Sequence, residues 1–230
     1  MISVCMATYN GEKYLKEQLT SVLVQLGKND EIIIVDDFSI DKTISVINSL
    51  NDRRINIIKN KFNIGPIKSF EKALRNAKGD IIFLSDQDDI WLPNKVTKVL
   101  TDFKNSDACV VVHDAKVTDK ELNVTCNSWN VKNNNKFGGG WIKTLIKNSY
   151  TGANMAMRRK VLMECLPFPS NIPMHDWWIA ITCKKRHLKI FVDNDPLILY
   201  RRHEGNVTGK KHQLKKMIKN RVQLLNAVRR

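Results

Sequence analysis

The chain has 230 residues, 43% of them hydrophobic and 27% charged, a composition typical of a soluble globular protein with its own core. Its formal net charge of +15 indicates an anionic partner, such as nucleic acid, an acidic membrane surface or a phosphate-bearing substrate. The five cysteines are scattered, which argues against a disulfide framework or a zinc site and predicts a reducing compartment. We expect neither a signal peptide nor a membrane span, because no apolar run approaches the ~18 residues that a span needs.

Apolar runs and helical repeats alternate through the first half of the chain. The predicted strands are 2–7, 32–35, 55–58, 81–84 and 108–112. Helical spacing of apolar residues begins at Leu15, Ile44, Ile67 and Val96, and Asn10 is placed to cap the first of these helices. This alternation predicts an α/β fold with a doubly wound, mainly parallel sheet, in which the loops after successive strands share one edge.

An acidic cluster of Asp86, Asp88 and Asp89 follows the central predicted strand. Three carboxylates this close need a cation, or some of them must be protonated. Asp oxygens suit Mg²⁺ or Mn²⁺, which bind through one or two carboxylates plus substrate phosphates. A solvated acidic turn would have the same spacing, and Asp89 could simply cap the next helix. The position at a strand end favours a ligand site.

The second half of the chain changes character. A polar loop over 133–140 precedes a predicted helix over 141–146 and a strand over 153–157. A further helix is predicted to begin near 174–178, and two further strands lie near 190–192 and 197–200. Residues 210–230 form a candidate amphipathic helix with eight Lys or Arg and no acid. Its predicted apolar face consists of Leu214, Met217, Ile218, Leu225 and Val228. A solvated basic face is the ordinary interpretation, and contact with an anionic membrane is the alternative.

Four motifs stand at predicted strand ends or in the loops beside them. Residues 3–11, 35–39, 63–65 and 85–91 read SVCMATYNG, VDDFS, NIG and SDQDDIW. Their order and spacing resemble those of the family 2 glycosyltransferases, and most closely those of the bacterial rhamnosyltransferase-like branch. The resemblance is strong over the first 115 residues and continues weakly to about Thr208.

The resemblance implies an inverting enzyme with a GT-A (Rossmann-like) fold, a mainly parallel central sheet flanked by helices. Residues 1–115 would be the nucleotide-sugar-binding half of one GT-A domain and residues 116–209 its acceptor-binding half. Residues 210–230 would add the basic C-terminal helix.

The resemblance also assigns the base-binding residues. Asp37, with Asp36 beside it, would hydrogen-bond the base of a nucleotide sugar in a pocket lined by Thr8 and Tyr9. For both acids, helix capping is the structural alternative.

The diphosphate and metal would lie at the acidic cluster. Asp86 and Asp88 match the family's D-x-D motif, so Asp88 would ligate Mn²⁺ or Mg²⁺ and Asp86 would hold ribose or sugar hydroxyls, close to the metal. His203 stands in an H-x-x-N segment and would contact the diphosphate or the metal. Arg201 or Arg202 could pair with a phosphate.

An inverting transfer needs one base on the acceptor side of the sugar. The family often places Glu-Asp at the start of a helix, and this chain has His175-Asp176 there. Asp176 is therefore the predicted base, with helix capping as its structural alternative. Trp177 and Trp178 would form an aromatic floor for the acceptor, although packing in the core is equally open to them.

The predicted activity is metal-dependent, non-processive transfer from a UDP- or dTDP-linked sugar to a glycan or lipid-linked saccharide in bacterial surface polysaccharide synthesis. Two alternatives stay open: a basic nucleic-acid-binding protein and a catalytically inactive relative. Nucleic acid is not an expected partner, because the charge is concentrated in the tail and no recognised binding motif occurs. The expected location is the cytoplasm, with 210–230 as a peripheral contact at the inner face of the membrane.

Overall fold

The computed structural model describes residues 1–206 and 214–229, and within these ranges nine strands pair into one sheet. The strands are β1 (Ile2–Thr8), β2 (Glu31–Asp36), β3 (Ile55–Lys59), β4 (Ile81–Ser85), β5 (Ile90–Trp91), β6 (Val110–Thr118), β7 (Val124–Cys126), β8 (Met155–Arg158) and β9 (Ile190–Arg201). The helices are α1 (Leu15–Leu23), α2 (Thr43–Ser49), α3 (Pro66–Asn76), α4 (Lys95–Asn105), α5 (Trp129–Lys132), α6 (Trp141–Ile146), α7 (Lys160–Cys165), α8 (His175–Lys185) and α9 (Leu214–Arg229).

The sheet has the strand order β3-β2-β1-β4-β8-β6-β9-β5, with β7 paired to β6. The first four strands run parallel, as the strand–helix alternation predicts. In the second half β8 runs antiparallel between β4 and β6, whereas β9 is parallel to β6 and antiparallel to β5. The predicted α/β class is confirmed, but the antiparallel strands were not foreseen, because a short apolar run carries no information about its direction.

Two hydrophobic cores cover the two faces of the sheet. Alternate residues of β2 enter opposite cores: Ile33 and Val35 belong to the core that also contains residues of α3, α7 and α8, while Ile32 and Ile34 belong to the core that contains residues of α1 and α4. This alternation follows from the two-residue repeat of a strand and explains why the central strands are apolar throughout. Both faces are covered, so the carboxyl ends of the strands are rigid supports for the loops that follow them.

The loop after β1 differs from its prediction. Asn10 does not cap α1, because the helix begins only at Leu15 and has no side-chain cap. Asn10 instead has a left-handed backbone with φ +47°, a conformation that Asn tolerates in turns. Its Oδ1 accepts a hydrogen bond from the Ile40 N–H at 3.0 Å. Asn10 therefore ties the loop after β1 to the loop after β2.

The two halves of the chain share the sheet. Residue 115, the predicted boundary between them, falls inside β6, which pairs with both β8 and β9. The two predicted strands near 190–192 and 197–200 form the single strand β9.

The tail helix α9 packs against α6 and α8 through its C-terminal half. Leu224 and Val228 are buried, whereas Leu225, which the sequence placed on the apolar face, is only half-buried. Met217 and Ile218 of the predicted face are exposed. Residues 210–213 and 230, and the side chain of Leu214, lie outside what the structure describes. None of the described helices is long and apolar enough to cross a membrane.

Candidate active site

A cavity of about 250 Å³ lies at the carboxyl edge of the parallel strands. Its wall brings together six of the sequence-predicted site residues: Thr8, Tyr9, Asp37, Asp86, Asp88 and Asp176. The loops after β1, β2 and β4 meet here because parallel strands joined by helices expose their carboxyl ends at one edge. Asp176 reaches the same cavity from the first turn of α8.

A wider depression of about 890 Å³ adjoins this cavity and shares Gln87 and Gly205 with it. Its lining mixes three basic and three acidic side chains: Lys13, Lys120, Arg202, Asp119, Glu121 and Glu204. Of these two cavities, the smaller has Asp86, Asp88 and Asp176 on its wall, and the wider depression has none of them. The smaller cavity is therefore the candidate active site.

Asp37 is buried at the end of β2 and orders the loop after β3. Its Oδ1 accepts hydrogen bonds from Asn60 Nδ2 at 2.9 Å and from the Ile64 N–H at 2.8 Å. Its Oδ2 accepts a hydrogen bond from the Gly65 N–H at 2.8 Å. Asp37 thus joins two of the sequence motifs and remains on the cavity wall.

Asp36 lies behind the cavity wall. Its two oxygens accept hydrogen bonds from the backbone and the hydroxyl of Ser39, at 3.1 and 2.5 Å. Neither Asp36 nor Asp37 caps α2, since Asp41 accepts the hydrogen bonds of Thr43 at the start of that helix. This pair therefore does not cap α2, whereas Asp37 binds the N–H groups of the two residues that precede α3.

Gln87, the middle residue of the D-x-D motif, connects the acidic turn to the loop after β1. Its Oε1 accepts hydrogen bonds from Thr8 Oγ1 at 2.6 Å and from the Tyr9 N–H at 2.9 Å. Its Nε2 donates to the Tyr9 carbonyl at 3.2 Å. A side chain at Gly11 would lie 2.5 Å from the same Oε1. No sequence pattern indicates this role for Gln87, because its partners are almost eighty residues away.

The acidic turn has a buried lysine next to it. Burial, together with the charges of Asp88 and Asp176, raises the pKa of Asp86 to about 7. Lys95 is fully buried; its ammonium donates to the Ala153 carbonyl at 3.0 Å and lies 4.1 Å from the centre of the Trp91 ring. Burial lowers the pKa of Lys95 to about 7, and the neighbouring carboxylates oppose that shift. The ammonium of Lys95 thus partly balances the negative charges of the carboxylates at this turn.

Asp89 points away from the cavity and does not cap α4. It is buried, and its Oδ1 accepts a hydrogen bond from the Arg201 N–H at 3.1 Å. Burial, with Asp88 and Asp86 nearby, raises its pKa well above the ordinary value. The guanidinium of Arg201 is itself buried and pairs with Glu17 at 2.6 Å. Arg201 is therefore engaged in the core and not placed to bind a phosphate.

His203 and Asn206 approach Asp88 from the turn that follows β9. Nε2 of His203 lies 2.8 Å from Asp88 Oδ2, and Asn206 Nδ2 donates to the same oxygen at 3.0 Å. The Asn206 amide oxygen accepts a hydrogen bond from the His203 N–H at 2.7 Å, which fixes the turn. The sequence predicts that His203 lies beside the acidic cluster. The hydrogen bond by which Asn206 holds the backbone of His203 is apparent only in the structure.

The side chains at this turn fit a divalent cation. Among the described residues, no three side chains of His, Cys, Asp or Glu form a ready-made metal cluster. A hard cation needs no such cluster, since Mg²⁺ usually keeps several waters and binds through one or two carboxylates plus phosphate oxygens. Asp88 offers a carboxylate oxygen beside an imidazole nitrogen, and Asp86 offers further oxygens on the same wall. Carboxylate and imidazole together suit Mn²⁺ as well.

Asp176 is held in one orientation by donors from two segments. Asn148 Nδ2 and the Trp177 N–H donate to its Oδ1 at 3.1 and 2.5 Å, and the Gly152 N–H donates to its Oδ2 at 3.0 Å. Burial raises its pKa to about 6, although these hydrogen bonds oppose the shift. A carboxylate with such a pKa is suited to accept a proton near neutral pH. Asn148 belongs to a polar stretch whose residues carry no sequence signal for this role.

The structure does not bring the two tryptophans to the cavity. Among the described residues, its wall contains neither Trp177 nor Trp178. Each indole N–H donates to a backbone carbonyl, of Thr144 at 2.6 Å and of Cys165 at 2.9 Å, and both rings pack against the core. That Trp177 and Trp178 bind the acceptor stays a prediction.

Comparison with known proteins identifies the family. Residues 3–166 match the family described as Glycosyl transferase family 2. The dTDP-rhamnosyl transferase RfbG of Shigella flexneri is 30% identical over 89% of this chain and 73% of its own length. The glucosyltransferase WfgD of Escherichia coli is 25% identical over 80% of this chain and 70% of its own. The chain belongs to glycosyl transferase family 2, and the resemblance to rhamnosyltransferases is confirmed.

Solved structures agree on the fold. TarS of S. aureus, solved with UDP-GlcNAc, superposes with a TM-score of 0.74 at 20% identity, over 98% of this chain and 67% of TarS. The mannosyltransferase PcManGT of Pyrobaculum calidifontis, solved with GDP-Man and Mn²⁺, has a TM-score of 0.69 at 18% identity, over 100% of this chain and 64% of its own. The predicted GT-A fold is thus confirmed. The chain spans only about two thirds of these two proteins.

Proposed function

We propose that the protein transfers a sugar from a nucleoside-diphosphate donor to a hydroxyl of a glycan or lipid-linked saccharide, with inversion, in bacterial surface polysaccharide synthesis. The observation that carries the proposal is the meeting of Asp37, the Asp86–Asp88 pair and Asp176 in one cavity. Names of relatives suggest donors: RfbG is a dTDP-rhamnosyl transferase, and WfgD transfers glucose from UDP-glucose to a GlcNAc-diphosphoundecaprenol. We therefore rank dTDP-rhamnose first and UDP-glucose second.

The proposed step is a single displacement at the anomeric carbon. The acceptor oxygen forms a bond to that carbon while Asp176 accepts the hydroxyl proton. The bond between the carbon and the diphosphate oxygen breaks, and its electron pair leaves with the nucleoside diphosphate. Asp37, with Asp36 beside it in the chain, would hold the base in the same cavity, whose wall also contains Thr8 and Tyr9.

We also propose that Asp88, with Asp86 and His203, holds a divalent cation together with the donor diphosphate. Such a cation would neutralise the charge that develops on the leaving group. Support comes from the oxygen and nitrogen atoms that converge at Asp88, and from the structural neighbour solved with GDP-Man and Mn²⁺.

A donor screen tests the function. The full chain is incubated with dTDP-rhamnose, UDP-glucose and GDP-mannose, each with Mn²⁺ and a lipid-linked saccharide, and release of nucleoside diphosphate is measured. We expect one donor to react at least tenfold faster than the others. Donor binding without transfer to any acceptor would indicate an inactive relative. Binding of random DNA with a steep salt dependence, and of no donor, would instead favour a nucleic-acid-binding protein.

Acceptors linked to lipid would lie at a membrane, and helices α6 and α9 offer a surface for it. Arg221 of α9 donates through Nε to the Ile146 carbonyl of α6 at 2.9 Å, so the two helices are neighbours. The basic apolar surface that they form exposes Ile142, Ile146, Met217, Ile218 and Val222, with Lys143, Lys147, Lys215, Lys216 and Lys219. Neither helix contains an acidic residue. We propose that this surface contacts anionic lipid.

Vesicle flotation tests the membrane contact. Changing Lys215, Lys216 and Lys219 together to Glu should lower binding to phosphatidylglycerol vesicles at least tenfold, since each basic residue near such a surface contributes about 1 kcal/mol. The matched control changes Lys16, Lys28 and Lys104 to Glu; these exposed lysines belong to the α1 and α4 side of the sheet. Equal loss in both triple variants would show that only net charge matters and would contradict the proposed surface.

A further inference from the structure

His175, the first residue of α8, is buried on the cavity wall without a hydrogen-bond partner. Its side chain is 5% exposed, and neither Nδ1 nor Nε2 has a partner among the described residues. The ring stacks on Phe70, with centroids 4.0 Å apart and planes 23° apart. Both rings line the cavity next to Asp176.

An imidazole in this state is costly for the folded protein. Burial lowers the pKa of His175 to about 3, so the ring is neutral and offers one N–H donor and one acceptor nitrogen. A buried polar group that is left unpaired destabilises the folded protein, and native proteins seldom retain such groups without a reason. A ligand that supplies the missing hydrogen bond would remove this cost when it binds.

The ring lies close to the proposed base. A Cβ placed on Gly152 would lie only 2.9 Å from His175 Nε2, so the close approach of the backbone to the ring requires a glycine at this position. The same Gly152 donates its N–H to Asp176, which places His175 Nε2 on the Asp176 side of the cavity wall. The remaining wall here is apolar, with Pro66, Phe70 and Met174.

We propose that His175 recognises the donor sugar by a hydrogen bond between its ring and a sugar hydroxyl, and so helps to select the donor. This rests on the proposed function. The position of His175 beside Asp176, the proposed base, assigns the contact to the sugar. Because the ring is neutral, it adds no further negative charge beside Asp86 and Asp176. The wall fits an uncharged sugar with an apolar edge, such as a deoxyhexose, and disfavours a uronic acid.

The test compares His175→Phe, which keeps the ring stack and removes both nitrogens, with His175→Gln, which keeps a neutral donor and acceptor. Dissociation constants and kcat/KM are measured for dTDP-rhamnose and UDP-glucose, with dTDP and UDP as ligands that lack the sugar. For the donor that the wild type uses, His175→Phe should weaken donor binding and kcat/KM about tenfold. His175→Gln should recover most of that loss. Binding of dTDP and UDP should be unchanged, and Tm should not fall.

His113 provides a matched control. It is also buried, its Nε2 has no partner among the described residues, and it lies outside the cavity wall. His113→Phe should leave donor binding unchanged.

The proposal is overturned if His175→Phe keeps donor binding and kcat/KM within twofold of the wild type. It is also overturned if this variant weakens dTDP as much as dTDP-rhamnose, because the contact would then not be with the sugar. A wild-type chain that binds no sugar nucleotide at all would instead refute the proposed function, and this inference with it.

Discussion

Replacing Asp176 with Asn should reduce kcat by about a thousandfold and leave the dissociation constant of the donor within a factor of about three. Asn has nearly the same shape, and its one oxygen can keep the hydrogen bonds from Asn148 and Trp177, so only the bond from Gly152 is lost. It cannot take the acceptor proton. Steady-state kinetics and calorimetric titration of the donor measure the two quantities separately.

The same carboxylate should set the acid side of the pH profile. Because the pKa of Asp176 is raised to about 6, the base is protonated and inactive below that pH. We expect kcat/KM to fall about tenfold per pH unit below 6 and to level off above it. Asp102 is a suitable control, because burial and the neighbouring Asp193 raise its pKa to about 6 as well and it lies outside the cavity wall.

Asp102→Asn should therefore keep the acid limb of the profile. An Asp176→Asn variant that retained a tenth of the wild-type kcat would exclude Asp176 as the base. An acid limb that moved in Asp102→Asn would show that the profile reports a change in the fold.

Replacing Asp88 with Asn should abolish the effect of metal on donor binding. Asp88 Oδ2 is the atom on which His203 and Asn206 converge, and an amide is a poor ligand for a hard cation. We expect Mn²⁺ to strengthen donor binding in the wild type and the affinity for Mn²⁺ to fall at least about a hundredfold in the variant. Titration of the donor with and without Mn²⁺ provides the measurement.

Asp89→Asn serves as the control for charge alone. It removes a carboxylate one residue away that is buried against the Arg201 backbone and lies outside the cavity wall. Metal-dependent donor binding should persist in that variant. If donor binding were independent of metal in the wild type, or if Asp88→Asn left the Mn²⁺ dependence intact, the proposed metal site would be wrong.

The sequence predicted those parts of the site that depend on position along a strand. An apolar run that stops at an acid marks a strand end, and parallel strand ends meet at one edge, so Asp37, Asp86 and Asp88 could be placed together without coordinates. Asp176 could be placed at this site only through the resemblance to the family.

The residues that the sequence missed are those whose roles depend on distant partners. Gln87, Asn148 and Asn206 are amide side chains in loops, where no periodicity indicates which way a side chain points. In the sequence, His175 is distinguished only as a departure from the family pattern. That its ring nitrogens lack hydrogen-bond partners depends on how the chain packs, which the sequence does not reveal.

The sequence predicted where helices occur better than it predicted which of their residues are buried. In α9 the predicted apolar face contains Leu225, whereas the adjacent Leu224 is the residue that is fully buried. Trp177 and Trp178 raise the same problem in α8. Adjacent side chains on a helix point about 100° apart, so the packing of neighbouring elements, and not the local sequence, selects the buried one.

The contacts on Asp88 also bear on how the protein assembles during its synthesis. Asp88 lies 115 positions before His203 and 118 before Asn206. At ~5–20 residues per second, the ribosome needs roughly 6–24 s to add the last of these after the first. Lys95, only seven positions beyond Asp88, emerges almost at once and supplies a positive charge beside the acidic turn. The first four strands can thus pair early, whereas the contacts of His203 and Asn206 with Asp88 form only after the turn that follows β9 has left the ribosome.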